Sequence, residues 1–376
     1  MPKRFETLPM NVLSMGKAAE SMITCSRTVL DRAAVRSHQE PEEEGKEMTD
    51  DKIPAKSANL SVLSDLCTPW CIHVVATLRI ADHLAAGATD ITTLAKATAC
   101  NADFLQRVLR HLVAKGVFVE PAPGQFALNQ AALEVQRFGL NLDGIGGRMA
   151  HAWGTLLTAV RTGKPAYHEQ FGLPFWEDLQ AHPDIASSFD ALMGPAGHGI
   201  PDPEVLLTGE WEEVKTVVDV GGGTGALLAE ILRVHPQIQG ILVDFPGTVA
   251  RAEALLQEAG VRERVRTVGQ SFFDPLPAGA DLYLLKSILN DWPDQEAQLI
   301  LSRCAEAARP GGRIVILGGV VADDSVPSLL TPEMVLLGGK ERPLTEFQEL
   351  AHQIGLTILT SGRLPSGRFA VECRPI

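Results

Sequence analysis

The stretch Thr216-Val217-Val218-Asp219-Val220-Gly221-Gly222-Gly223-Thr224-Gly225-Ala226 leaves this chain few choices of fold. A short β-branched run marks a buried strand, and here it breaks directly into glycines. Leu227 to Val234 then carry apolar residues at helical spacing. Strand, glycine turn and helix together make a nucleotide site, because bare Cα atoms admit a ligand to the backbone and the first N–H groups of the helix are free to bind it. Asp244 closes the next apolar run, Gly240-Ile241-Leu242-Val243, about 20 residues on, where a carboxylate can grip the two hydroxyls of a ribose. Gly221-x-Gly223-x-x-Ala226 also satisfies the dinucleotide pattern, so these residues alone admit a nicotinamide or flavin enzyme.

The rest of the C-terminal part alternates. Strands over 216–220, 240–243, 265–268, 281–285 and 313–317 are interleaved with helices near 225–234, 247–259 and 293–308. That alternation predicts a parallel, doubly wound α/β sheet. Leu356–Thr360 and Phe369–Cys373 flank a Pro-Ser-Gly turn and predict a closing antiparallel hairpin. A parallel nucleotide fold that ends on a hairpin favours a methyltransferase over a dehydrogenase.

Upstream, residues 1 to about 55 read as a disordered extension, with Lys3, Arg4, Arg27, Arg32 and Arg36 ahead of the acidic run 40–47. Met48 follows that run and is a second candidate for the start of translation. Apolar residues recur at three and four from Asn59 to Ala86, predicting a helix pair or one helix broken near Pro69 and closed by Gly87. Asn101 caps a helix over 102–114, and Val117–Val119 with Gln125–Leu128 read as a hairpin around Pro121–Gly124. Three helices and a β-wing make a winged helix over 56–130. Its one cationic cluster is Arg107, Arg110, His111 and Lys115, too few for phosphate backbone in a chain of formal net charge −13, so the module is read as a dimerisation surface. Residues 131–210 form a helical connector rich in aromatics and histidines, among them His151, Trp153, Trp176 and Phe189, suited to a wall over a flat ligand.

At 376 residues the chain can hold two domains with cores of their own. No apolar run is read as a membrane span and no leader is visible, which predicts a cytoplasmic protein with reduced thiols and no membrane or nucleic-acid partner. Cys67-x-x-x-Cys71 lacks a second ligand pair, and the histidines show no ligand spacing, so no metal is expected.

Several separated motifs, in order, resemble the small-molecule O-methyltransferases that use S-adenosylmethionine, and most closely the actinobacterial enzymes acting on aromatic polyketides. Asp219–Gly225 resembles the family's cofactor loop, Val243-Asp244 its ribose clamp, and Phe272–Pro277 its segment at the adenine. Pro310–Arg313 is similar to the turn before its fifth strand, and Gly338–Arg342 to its late active-site motif. The similarity covers about residues 58 to 375, with 211–376 as the cofactor-binding domain. It implies S-adenosyl-L-methionine as cofactor, a homodimer, and a small-molecule acceptor. It places Gly221, Gly222, Gly223, Asp244, Ser271, Phe272 and Lys286 at the cofactor, and Met193, Trp153, Asp291 and Met334 at the acceptor.

The departures from the pattern concern proton removal. Asn290 stands where the family has a histidine base, and an amide cannot take a phenol's proton. The carboxylate that orients that histidine should fall near Gly318 and is absent, whereas Glu341 remains. Methyl transfer survives this loss, since a general base is worth ~10²–10⁴-fold and alignment reaches effective molarities of ~10⁵–10⁸ M. The resemblance therefore implies O-methylation of a small aromatic or polyketide-like acceptor, with Asn290 positioning it and Glu341 or a water taking the proton. The alternative is a hydroxylase, dehydratase or cyclase of the same fold that keeps the cofactor.

Overall fold

The computed structural model describes residues 59–135, 139–195, 200–325 and 330–376. The expected N-terminal extension and Met48 lie outside them.

The helical layer opens with α1 (Leu60–Leu63) and α2 (Cys67–Thr77). The break precedes Pro69 rather than falling on it. Asp65 accepts from the N–H groups of Cys67 and Thr68 at 2.9 and 3.1 Å and so starts α2, and Pro69 then sits in the first turn, where no N–H is needed. Arg79, at φ 51, divides α2 from α3 (Ile80–Ala85). α4 (Ile91–Ala97) and α5 (Ala102–Ala114) carry side-chain caps from Asp90 and Asn101. The wing is β1 (Val119–Ala122) against β2 (Gln125–Ala127), antiparallel. Its first strand lies later than the sequence suggests and runs through Pro121, because the register slips between Val119 and Ala122 and leaves the proline unpaired. Val75, Ile80, Leu94, Leu109, Leu112 and Phe126 fill the core.

Three of the four residues of the cationic cluster are neutralised. Arg107 pairs with Asp103, Arg110 with Glu120 and Lys115 with Asp65. One reading needs correction: Leu60–Thr77 is long and apolar enough by composition to cross a membrane. It escaped notice because Ser64 and Asp65 interrupt it, and these same residues split it into two helices here.

The connector holds α6 (Gln130–Val135), α7 (Ile145–Ala152), α8 (Leu156–Thr162), α9 (Tyr167–Phe171), α10 (Phe175–Ala181) and α11 (Pro183–Met193). Its core is aromatic. Tyr167, Phe175, Trp176 and Phe189 meet edge to face at 5.3, 4.9 and 5.7 Å. Beneath them the buried Asp178 receives the Tyr167 hydroxyl at 2.8 Å and Arg148 at 3.4 Å.

The sheet contains β3 (Thr216–Val220), β4 (Gln239–Asp244), β5 (Val265–Gly269), β6 (Leu282–Lys286), β7 (Arg313–Leu317), β10 (Leu356–Arg363) and β11 (Phe369–Pro375). Their spatial order is β10-β11-β7-β6-β3-β4-β5, and β3 to β7 run parallel. β11 lies antiparallel between β7 and β10. Both faces are covered by α12 (Ala226–Val234), α13 (Pro246–Glu258), α14 (Asp294–Ala308) and α16 (Leu344–Gln353), so the central strands read as continuous apolar runs. α15 (Leu330–Leu337) packs on α8 and on the turn at Leu289–Asp291. A two-residue pair, β8 (Val320–Val321) with β9 (Arg342–Pro343), completes the fold.

Candidate active site

The site forms at the carboxyl ends of β3, β4 and β6, where the strand order reverses. The glycine loop leaves β3 and is pinned to the end of β4, with Gly221 N–H donating to the Val243 carbonyl at 2.8 Å. Asp244 binds the loop from beside it. Its Oδ2 accepts from Gly223 N–H at 2.8 Å and its Oδ1 from Phe245 N–H at 2.7 Å. Burial raises the Asp244 carboxyl from its usual value, against the pull of those two N–H groups. Each oxygen keeps a lone pair, which is what two vicinal hydroxyls need. Gly223 has φ +61, and a Cβ placed on it would meet nothing within 4 Å, so the loop opens onto free space there.

Below the loop lies Asp219, which the sequence reading placed in the loop motif without giving it a role of its own. Asp219 is 1% exposed, its Oδ2 has no partner, and a Cβ on Gly222 would come within 2.4 Å of that oxygen. Burial pushes its carboxyl up to about 7, with Lys286 pulling it down and Asp244 pushing it further up. Lys286 ends β6 between Asp219 and Arg368, and its ammonium is lowered first by burial. A buried, unpaired carboxylate behind the loop favours a cation in front of it. Asp244's free lone pairs, the open face at Gly223 and this orphaned acceptor all fit S-adenosylmethionine, which carries ribose hydroxyls, an ammonium and a sulfonium.

The remaining cofactor candidates converge. Phe272 and Ile288 crowd Gly221, where an added Cβ would lie 3.3 and 2.5 Å from them. Ser271 Oγ accepts from Phe273 N–H at 3.2 Å and keeps its proton for other use. Phe272 meets Trp292 edge to face at 5.9 Å, and Trp292 stacks on Trp176 of the wall at 6.0 Å. This aromatic bridge joins the connector to the cofactor domain.

Asn290 and Asp291 lie on a single 3₁₀ turn, Leu289–Asp291. Asn290 Nδ2 donates to Asp291 Oδ1 at 2.7 Å, whereas Asn290 Oδ1 is buried without a partner. Burial alone pushes the Asp291 carboxyl up to about 7. Around this turn the late motif is wrapped closely. Lys340 N–H donates to the Asn290 carbonyl at 2.9 Å, and Arg342 N–H to Gly319 O at 3.0 Å, which sets Glu341 between two anchored residues. Met334 reaches Gly339, whose added Cβ would fall 2.2 Å from the Asn290 carbonyl. At Gly319 (φ +81) a Cβ would fall 2.6 Å from Asn290 N, which is why no side chain stands there. Met193 ends α11 beside the glycine loop, with a Cβ on Gly194 falling 3.9 Å from Thr224 Oγ1. Trp153 stands apart from this group and is 43% exposed.

Two further residues gain a role only in the fold: Arg342, at the end of the late motif, and Arg251. Arg342 is 0% exposed, and its guanidinium donates to Asp294 Oδ1 at 2.8 Å and to the carbonyls of Leu289, Lys340 and Trp292 at 2.9, 3.0 and 2.8 Å. It thus holds the Asn290 turn from behind. Arg251 of α13 pairs with Asp190 of α11 at 2.6 Å, tying the wall to the helix that follows Asp244. Among the described residues the fold brings one group of metal-ligating side chains together, where His111 joins Cys67 and Cys71 from another helix.

Comparison with known proteins identifies the family. A family model described as an O-methyltransferase domain matches residues 153–357, and one described as an O-methyltransferase dimerisation domain matches residues 60–133. The 2,7-dihydroxy-5-methyl-1-naphthoate 7-O-methyltransferase of Streptomyces carzinostaticus is 39% identical, over 81% of this chain and 94% of that protein. The aclacinomycin 10-hydroxylase RdmB of Streptomyces purpurascens is 37% identical, over 80% of this chain and 84% of that one. Among solved structures, the O-methyltransferase NcsB1 from neocarzinostatin biosynthesis, in complex with S-adenosylmethionine and 2-hydroxy-5-methyl naphthoic acid, superposes with a TM-score of 0.79 at 37% identity. That match covers 86% of this chain and 100% of NcsB1.

Proposed function

The chain belongs to the S-adenosylmethionine-dependent O-methyltransferases of natural-product biosynthesis, and we propose that it methylates a hydroxyl of a flat, fused-ring aromatic such as a hydroxynaphthoate. The observation that carries the acceptor chemistry is Asn290 Oδ1, a buried carbonyl oxygen with nothing to accept from. An aromatic hydroxyl that donates to it becomes fixed in direction, and its remaining lone pairs are free to attack. Leaving that oxygen unsatisfied costs about 1–3 kcal/mol, which acceptor binding recovers.

Asp244 and the glycine loop, with the Asp219 carboxyl behind them, would hold the cofactor, which when bound would supply an electrophilic methyl group on a sulfonium. The chain's own contribution is alignment. Trp176, Trp292 and Phe272 present ring faces and edges to a flat acceptor, with Met193 and Met334 filling the slot beside them. Positioning supplies ~10⁵–10⁸ M in effective molarity, more than the ~10²–10⁴-fold of a missing base. The proton leaves by Glu341 or a water. Asp291, hydrogen-bonded to the Asn290 amide, keeps that amide turned with its oxygen toward the acceptor.

The same reading assigns 56–130 to dimerisation, 131–210 to the acceptor wall and 211–376 to cofactor binding. Leu60, Leu63, Leu66 and Phe104 are 67–75% exposed, an apolar surface that a second copy covers in a homodimer.

Mass spectrometry of the full chain with S-adenosylmethionine and a panel of hydroxynaphthoates, phenols and enols tests the proposal. A product heavier by one methylene, with matching S-adenosylhomocysteine, is expected. Asn290→His should turn over the same acceptor with a changed KM. Acceptor that gains oxygen or loses water while the cofactor is not consumed would sink the reading and bring the hydroxylase relative forward.

A further inference from the structure

The cysteine pair that the sequence presents as a lone helical repeat gains a third partner in the fold. Cys67 and Cys71 are one turn apart on α2, so both thiols leave the same face. α2 packs on α5, and His111 of α5 completes the group. Its two sulfurs and one ring nitrogen all lie within 4.8 Å of one another.

The spacing distinguishes the possible chemistries. Cys67 Sγ and Cys71 Sγ are 3.9 Å apart. A tetrahedral zinc ion, with Zn–S of about 2.3 Å, holds two sulfurs about 3.8 Å apart. A disulfide needs about 2.05 Å. The thiols therefore stand at the separation of two ligands on one ion, with no helix distortion required.

The surroundings prepare the histidine. Thr68 Oγ1 donates its one proton to Asp65 Oδ2 at 2.6 Å, so at 2.8 Å it can only accept from His111 Nε2. That relay puts the ring proton on Nε2 and leaves the lone pair on Nδ1. Asp65 is itself held by Lys115 at 3.1 Å. A carboxylate that orients a ligating imidazole through an outer hydrogen bond is the usual support of a metal site. Cys67 is exposed, which gives a cation an approach and leaves room for water in a fourth position.

We propose that Cys67, Cys71 and His111 bind a thiophilic divalent cation of the zinc class, clamping α2 to α5 outside the methyl-transfer site. Each ion bound displaces two thiol protons. No step of the methyl transfer passes through it.

Cobalt(II) and zinc(II) chloride, titrated into the reduced, chelator-stripped full chain, test this. One cobalt per chain is expected, with thiolate charge-transfer absorption that zinc displaces, and zinc should raise the unfolding temperature. Cys71→Ser and Cys67→Ser should abolish the absorption, and Thr68→Val should weaken zinc about tenfold by releasing His111. Cys67 is at the surface, so its variant remains informative if Cys71→Ser fails to fold. Absence of the cobalt band, equal binding by Cys67→Ser, or a chain two mass units lighter that resists mild reductant through a Cys67–Cys71 disulfide would each overturn the proposal.

Discussion

Replacing Arg342 by methionine removes a guanidinium that no solvent reaches while keeping an unbranched stem in its place. Three backbone carbonyls, of Leu289, Lys340 and Trp292, lose this donor, and the Asp294 carboxylate is left with Lys340 on its other oxygen. Each buried orphan costs about 1–3 kcal/mol. Asp294, half exposed, recovers solvation, so the total falls below the sum and near the ~3–5 kcal/mol of a broken buried pair. Against a total stability of about 5–15 kcal/mol, that is a large fraction. The catalytic effect is separable. Freed carbonyls at Leu289 and Trp292 flank Asn290, and a displacement of its amide by ~1 Å costs ~10²-fold in kcat/KM. Arg342→Lys keeps the charge but can satisfy fewer of the four acceptors, and should fall between. Urea unfolding of the three proteins, paired with kcat/KM on the acceptor found in the panel, measures both effects. If Arg342→Met lost under about 1 kcal/mol and kept wild-type kcat/KM, the turn would be rigid without it and the account wrong.

Asp244→Asn should weaken S-adenosylhomocysteine binding about 10- to 100-fold by calorimetry, as one charged acceptor for two hydroxyls is lost, with little change in fold. Gly222→Ala should destabilise the chain strongly, because the new methyl meets Asp219 at 2.4 Å and Leu242 at 2.6 Å. Gly223→Ala meets nothing, so thermal melts should show only about 1–2 kcal/mol of left-handed strain while cofactor affinity collapses. For Asp291, a folded-state value of about 7 against 3.8 means the folded state prefers the protonated acid. Its stabilising effect is whole below the unfolded value and disappears as pH rises toward 7, at about 1.4 kcal/mol per unit. Asp291→Asn should therefore raise stability at pH 8 but not at pH 4, read from urea midpoints at the two pH values.

Much of this was legible because it is local. β3, β4, β6 and β7 show as apolar runs, and the closing hairpin shows as two alternating runs around a turn. Asp244 was legible by its distance from the glycines. What escaped is nonlocal. Arg342 was legible as part of the late motif but not as a buried anchor, since two of its three carbonyl partners, Leu289 and Trp292, lie some fifty residues away. Asp219 reads as part of a strand, and only the fold shows that its oxygen lacks a partner. The wing was placed early because Pro121 suggested a turn, whereas a slipped register accommodates it. His111 could not be matched to Cys67 and Cys71 before α2 and α5 were seen to pack.

The ion pair between Asp190 and Arg251 has a thermodynamic meaning. It fastens the end of the acceptor wall to the helix that begins beside the ribose carboxylate. Were an acceptor to draw the wall inward, the free energy it gains would reappear as tighter cofactor binding, by the same factor in each direction. Product release would then carry a converse: loss of the methylated acceptor would loosen the spent cofactor.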